Sequence, residues 1–329
     1  MSKLEIGFAA WGTPERYFGL IRDKSVYLWY DNTNERGIGM FVDSKGNHWY
    51  KGNLHTHTTR SDGRRQPQEV INCYRSAGYD FLALTDHWIV SQAEEQQDFL
   101  LISGCEYDIG SCVQEEIYHI LALGMREDPC LERGALDVQG VIDTVHGHGG
   151  LAVLAHPAWS LNRPEHVKAL TGLDGTEIYN TVSGFPWNCR AYSGGFIDQM
   201  AAEGALLPCL AGDDAHFYQG EETRSFIYVK SEALTEKAIL AALRRGDFYA
   251  TQGPRFELTR AGDRLLVAST PVQRVAFFTD TVYVPDRTAE GDGITRAEYR
   301  IKAGDTFVRV ELFDRDGRMA WSSPLKLHD

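Results

Sequence analysis

The chain has 329 residues, 43% of them hydrophobic, which is enough for one large domain with a smaller one or with extensions. A formal net charge of −13 argues against a broad basic surface for nucleic acid or anionic lipid. The opening "MSKLEIGFAAWGTPERYF" has no basic segment leading into a long apolar one, no run nears the roughly 20 apolar residues of a spanning helix, and the six cysteines form no CxxC pair. We therefore expect a reduced, cytoplasmic protein with neither membrane nor nucleic acid as partner.

Residues 1–50 read as a short N-terminal β segment, with "SVYLWYD" and "GIGMFVD" as strands and "DSKGNHW" as a hairpin turn. From 51 to 250 the texture changes to helical spacings that end on glycine and lead into apolar strands. The pairs run "QPQEVINCYRSAG" to "DFLALTD", "LDVQGVIDTVHGHGG" to "LAVLA", "GGFIDQMAAEG" to "LLPCLAG", and "TEKAILAALRRG" to "DFYAT". Such repetition predicts α/β architecture on a mainly parallel sheet. After "TQGP" helical signals stop, and alternating strands split by "AGD" and "DRDG" predict a small antiparallel, sandwich-like β-domain over 251–329.

Polar residues gather where apolar runs end. "LALTDHW" places Asp86 and His87 after a strand, "LISGCE" delivers Glu106, "LAVLAHP" ends in His156, and "LLPCLAGDDAH" ends in Asp213, Asp214 and His216. Strand C-termini of a βα barrel open on one face, so these groups would meet there. "NLHTHTTRSDG" adds His55, His57 and Asp62, where an extended backbone points both histidines to one side and Thr56 to the other. "EIYHILALG" adds His119 within a strand. Singly, each has a plain reading: a strand histidine is usually a hydrogen-bonded core residue, and Asp214 would serve as a helix cap. Jointly, six imidazoles and three carboxylates without a thiolate suit two or three ions of zinc, manganese or iron. Such a site is locally positive and favours a small anionic substrate. His48, His146, His148, His166 and His328 lack this placement and read as surface or helix-end residues.

The motifs "HTHTTRSDG", "LALTDHW", "GCE", "HILALG", "LAHP" and "GDDAH" resemble, in order, those of the polymerase and histidinol phosphatase (PHP) superfamily over about residues 51–250. The flanks, "RRGDFYATQGP" and "GRMAWSSPLKL", are similar to the branch of metallohydrolases related to carbaryl hydrolase. The resemblance implies a distorted (β/α)7 barrel with a di- or trinuclear centre in its mouth. It assigns His55, His57, Glu106 and Asp214 to one ion, Glu106 with His119 and His156 to a second, and Asp62, His87 and His216 to a third. Asp62 stands where some three-metal relatives have histidine, and either completes that site or protonates the leaving group.

The expected function is hydrolysis of a phosphate ester, with Asp62, His87 or His216 giving a proton to the leaving oxygen. Arg60, Arg64 and Arg190 are candidates to grip phosphate, and Arg65 reads as an exposed loop residue. Glu177 and Asn180, at the end of "GTEIYN", are candidates to orient groups around the metal or substrate, with barrel packing as the equal alternative. "NTVSGFPWNCRAYSGG" (180–195) reads as a lid. Hydrolysis of a carbamate or carboxylic ester by the same centre is the alternative, decided by pocket polarity. A barrel that binds without catalysis is disfavoured by the full ligand set, and an exonuclease by the acidic charge.

Overall fold

A computed structural model describes residues 40–96, 98–111, 117–282 and 285–328. The N-terminal strand expected over "SVYLWYD" lies outside them, as does Cys112, and the five cysteines within them are free. β1 (Phe41–Val42) and β2 (His48–Asn53) form the expected hairpin. Asp43 closes it by accepting from the backbone N–H of Lys45 and of Asn47, both at 2.9 Å, and Gly46 takes the left-handed φ of 84° that the turn needs.

α1 (Pro67–Ser76) opens with a proline at its first position and a Gln66–Glu69 capping box, then packs Val70, Ile71 and Tyr74 inward. β3 (Phe81–Ala83), β4 (Glu94–Gln96), β5 (Phe99–Ile102), β6 (Gly104–Ile109) and β7 (Tyr118–Leu123) follow. α2 (Val138–Gly147), capped where Asp137 accepts from Gly140 N–H, leads to β8 (Leu151–Leu154). Two single turns, α3 (Pro157–Ser160) and α4 (Pro164–Val167), precede β9 (Gly175–Asn180), α5 (Gly194–Ala202), β10 (Cys209–Gly212) and β11 (Phe226–Lys230). α6 (Glu236–Arg245), capped by Thr235 and stopped by Gly246 at φ 72°, leads to β12 (Phe248–Thr251). The tail is all strand: β13 (Phe256–Ala261), β14 (Arg264–Phe278), β15 (Thr288–Arg300), β16 (Phe307–Phe313), β17 (Met319–Trp321) and β18 (Leu325–Lys326).

Among the described residues these strands make two sheets. One runs β13-β14-β16-β17-β12-β11-β2-β3-β5-β4, with β1, β15 and β18 on its flanks, and the other runs β10-β9-β8-β7-β6. Isolated bridges tie them together, Thr56 to Ala215 and His87 to Glu106. The pairing is mixed rather than mainly parallel. β2-β3-β5 and β8-β9-β10 are parallel, but β7 is antiparallel to both neighbours and β11 is antiparallel to β2 and β12. Eight residues lie between β6 and β7, and α6 with its flanking turns joins β11 to β12; neighbouring strands so connected can reverse without a crossover.

The tail strands pair antiparallel throughout, and β17 joins them to β12, so the tail continues the first sheet. One core gathers β7, β8 and the inner faces of α2, α5 and α6 through residues such as Ile120, Val153, Ile142, Ile197 and Ile239. A second gathers α1 with tail residues Val267, Val275, Val310 and Leu312. Each such side chain, fully buried, contributes about 1.5–3 kcal/mol. No helix among the described residues is long and apolar enough to cross a membrane.

Candidate metal centre

All nine donor residues come together, though not all from strand ends: Glu106, expected to end a strand, lies inside β6, as His119 does inside β7, and Asp62 is on a loop. β2 runs out extended into His55 and His57, whose rings are fully buried, and Thr56 turns away to the bridge with Ala215. His87 follows β3, Glu106 lies in β6, His119 in β7, His156 follows β8, and Asp214 and His216 follow β10. At the centre is the Glu106 carboxylate, 1% exposed, approached by five imidazoles. These are His119 at 2.8 Å, His57 at 3.0 Å, His55 at 3.2 Å, His156 at 3.4 Å and His87 at 3.6 Å. Asp214 Oδ1 lies 3.0 Å from Nε2 of both His55 and His57. Asp62, half exposed, faces His216 at 3.3 Å, His57 at 3.5 Å and His87 at 3.8 Å.

Three groups have their ligand atoms within 4.8 Å of one another: His55, His57, Glu106 and Asp214; His57, Asp62, His87 and His216; and His87, Glu106 and His119. The first has the membership that the resemblance implies for one ion. The third takes His87 where the resemblance has His156.

Two of the candidate ligand positions are held in strained backbone. His156 has φ 27° and Asp214 has φ 52°, conformations that cost side-chain-bearing residues on the order of 1–3 kcal/mol each. A close packing requirement sits between them at Gly212. A Cβ there would stand 2.7 Å from Glu177 Oε1 and 2.9 Å from the His55 Cβ.

A layer of buried acceptors sets the rings. Glu177 holds His55 Nδ1 at 2.9 Å, the His156 backbone N–H at 2.9 Å and the Asn180 amide at 2.8 Å. Ser160 Oγ meets His156 Nδ1 at 3.1 Å, and the Asp214 carbonyl meets His216 Nδ1 at 2.7 Å. Occupying one ring nitrogen in this way fixes the tautomer that offers the other to a metal.

Asp86 and Asp213, the other strand-end acids, point away from the cluster. Asp86 accepts from Thr58 N–H and Oγ1 at 2.7 Å and from Ser61 Oγ at 2.9 Å, holding the loop that carries Asp62. Asp213 accepts from Asn53, Tyr74 and Thr181 side chains and from the N–H groups of Thr223, Arg224 and Ser225. Sequence reasoning missed Asp108, which lies 3.1 Å from His87 Nδ1 and accepts from Trp88 Nε1 at 2.7 Å. Its place two residues after Glu106 in the same strand was the available signal.

Electrostatics agree with a cation site. Burial pushes the Glu106 carboxyl up, but His55 and His119 overcome it and hold it well below the usual range. Asp214 is held down in the same way by His55 and His216, and Asp62 by His216 and His57. Reciprocally, burial alone would lower the His57 ring, yet Asp214 and Glu106 raise it to about 10. Carboxylates that draw protons onto imidazoles this strongly draw divalent cations by the same field. His57 Nε2, His87 Nδ1 and Asp214 Oδ1 are buried and make no well-aligned hydrogen bond, although His57 Nε2 and Asp214 Oδ1 stand 3.0 Å apart and Asp108 stands 3.1 Å from His87 Nδ1. Nitrogen and oxygen donors left open towards a common point, with no sulfur, fit zinc, manganese or iron.

A cavity of about 230 Å3 opens over the cluster, lined by Asp62, His87, Glu106, His119, His156, Asp214 and His216 with Trp159, Val182, Ser183, Asn188 and Phe217. Among the described residues no lysine or arginine lines it. The arginines expected to converge there stand elsewhere. Arg60 donates to Ser91 Oγ at 3.0 Å, Arg64 stacks on the Phe217 ring at 4.8 Å, and Arg190 is exposed. Glu177 and Asn180 are buried behind the histidines and do not line the cavity. Loop arginines have no periodicity to aim them, which is why the sequence overplaced them.

No family model matches the chain. A stretch of 142 residues, 40% of this chain and 81% of the relative, is 26% identical to an uncharacterised protein from Methanocaldococcus jannaschii. Among solved structures, an amidohydrolase from Chromobacterium violaceum with bound sulfate and no metal aligns over 52% of this chain and 89% of its own, at 15% identity and TM-score 0.38. A two-domain protein from Bacteroides vulgatus, described as containing a predicted PHP-like metal-dependent phosphoesterase, aligns over 88% of this chain and 98% of its own, at 18% identity and TM-score 0.50. That likeness runs nearly the length of both chains and, at 18% identity, is a likeness of fold.

Proposed function

We propose that the chain is a metal-dependent hydrolase of small phosphate esters. The observation that carries this reading is the Glu106 carboxylate shared by five imidazoles at the floor of an open cavity. We read the two sheets, joined at their bridges, as the distorted seven-stranded barrel that the resemblance implies. His55, His57, Glu106 and Asp214 would hold one ion, Glu106 with His119, His156 and His87 a second, and Asp62 with His216 and His87 a third. Bound divalent ions would supply Lewis acidity and a hydroxide nucleophile near neutral pH.

The remaining work falls to the chain. With the third site unfilled, His87 and His216, each 17% exposed and lining the cavity, are placed to hand a proton to a leaving oxygen. Asp62, held as a carboxylate, suits ligation better than proton donation. Trp159 and Phe217 give the reacting face an apolar wall. The cavity is smaller than the roughly 300–1,000 Å3 of drug-sized sites, which favours a small substrate.

One observation favours a second reading, hydrolysis of a carbamate or carboxylic ester. The wall beside the cluster is Trp159, Val182 and Phe217, with no guanidinium to grip phosphate. Metal analysis followed by parallel assays of p-nitrophenyl phosphate, p-nitrophenyl acetate and an aryl carbamate, with manganese, zinc or iron, separates the two. Preferred turnover of the phosphate is expected. Turnover of the acetate or carbamate alone would move the assignment to the second reading, and no turnover by metal-loaded protein would overturn both.

A further inference from the structure

The segment between β9 and α5 supplies Val182, Ser183 and Asn188 to the cavity wall. Its entry is pinned to the metal-bearing strand, since Thr181 N–H donates to the Gly212 carbonyl at 3.0 Å and Val182 N–H to the Asp213 carbonyl at 3.1 Å. Its outer part is exposed: Phe185 is 84% accessible, and Asn188, Cys189 and Arg190 are open to solvent. The exit is held differently. Ser193 N–H donates to the Ile178 carbonyl at 2.8 Å, and the Tyr192 side chain reaches into the tail.

There the Tyr192 hydroxyl donates to the Glu311 carboxylate and accepts from Arg309 Nη2 at 3.1 Å. Arg309, on β16, has a fully buried side chain. Its Nε and Nη2 clamp both oxygens of Asp198 on α5 at 2.7 and 2.9 Å, its Nη1 binds Glu311, and its face lies 4.3 Å over the Phe278 ring. One guanidinium from the tail therefore grips both the last residue of the wall segment but one and the helix that follows it. Buried ion pairs of this kind add little net stability, because desolvating the charges offsets their attraction. What a rigid five-donor fork supplies is fixed geometry.

We propose that Arg309 is a positioning residue for the cavity: by fixing Tyr192 and Asp198 it sets where the wall carrying Val182, Ser183 and Asn188 stands, so that the tail shapes substrate fit without touching substrate. This rests on the reading of the cavity as the place of reaction.

The test uses the metal-loaded full chain with Tyr192→Phe, Arg309→Met and Arg309→Lys. Two measurements are made: p-nitrophenyl phosphate kinetics, and the rate of chymotryptic cleavage after Trp187 in the wall segment. Tyr192→Phe should keep its metal content and melting temperature. KM should rise about three- to tenfold with kcat within about twofold, as expected for the loss of one or two hydrogen bonds, and cleavage after Trp187 should accelerate. Arg309→Lys, which keeps a charge but not the fork, should fall between wild type and Arg309→Met. Unchanged KM and unchanged cleavage in folded Tyr192→Phe would overturn the proposal, and that variant decides if Arg309→Met does not fold. Should wild type fail to turn over the ester, the functional reading fails while the cleavage rates still decide the positioning role.

Discussion

Asp213 offers the sharpest test of how the site is built, because it stands next to a ligand without facing the cluster. Its fully buried carboxylate accepts six hydrogen bonds: from Asn53, Thr223 and Ser225 at 2.7 Å, Tyr74 at 2.8 Å, Arg224 at 3.0 Å and Thr181 at 3.2 Å. At about 1 kcal/mol each, Asp213→Ala forfeits about 6 kcal/mol and strands donors on four segments of chain. Burial pushes the Asp213 carboxyl up to about 6 against the hydrogen bonds from Ser225, Tyr74, Arg224 and Thr223, so alanine also relieves a buried charge and part of that sum is returned. The expected net loss is a few kcal/mol, read as a fall in the urea midpoint at constant slope. Because none of these donors belongs to the cluster, the loss should be the same with and without chelator. A change under about 1 kcal/mol, or one that vanishes on chelation, would show that Asp213 acts through the ions and not as a brace.

His156→Ala should lower metal content and abolish hydrolysis while far-ultraviolet dichroism stays that of the wild type; full activity would refute its place in the centre. Asp62→Asn should lose one ion equivalent by elemental analysis, whereas an unchanged ion count with a slow rate would return Asp62 to the role of proton donor. Burial lifts the Asp80 carboxyl to about 6, against the Lys51 and Met40 N–H groups and the Lys51 ammonium, from about 4 in an unfolded chain. The folded protein thus holds a proton the unfolded chain releases between pH about 4 and 6, so stability is greatest below that window and falls as pH rises through it. The stability advantage of wild type over Asp80→Asn should therefore shrink by about 3 kcal/mol between pH 4 and 7, and a gap independent of pH would refute a carboxyl raised by burial.

The convergence was legible because apolar runs that stop on His or Asp mark strand ends, and His87, His156 and Asp214 follow that pattern, whereas Glu106, expected at a strand end, stands inside β6. Which member of an adjacent pair faces inward was not. Asp86 and His87, or Asp213 and Asp214, look alike in sequence, and only register sends one to the cluster and the other to the frame behind it. Strand direction was equally hidden. "YHILAL" buries its residues the same way whichever way it runs, so the reversal of β7 left no trace in hydrophobicity. The tail's alternation announced antiparallel strands, but its attachment through Ala250–Trp321 and Thr251–Ala320 pairs depended on contacts 69 to 71 positions apart.

That attachment has a practical consequence. β12 is an interior rung between β11 and β17, and β11 in turn flanks β2, which leads into the paired histidines. Cutting the chain after Thr251 would strip β12 of its β17 partners at Ala250 and Thr251 and leave that edge bare, an adhesive rim that recruits other chains. A shortened protein would thus be expected to clump, and the tail acts as a selvedge for the whole fabric.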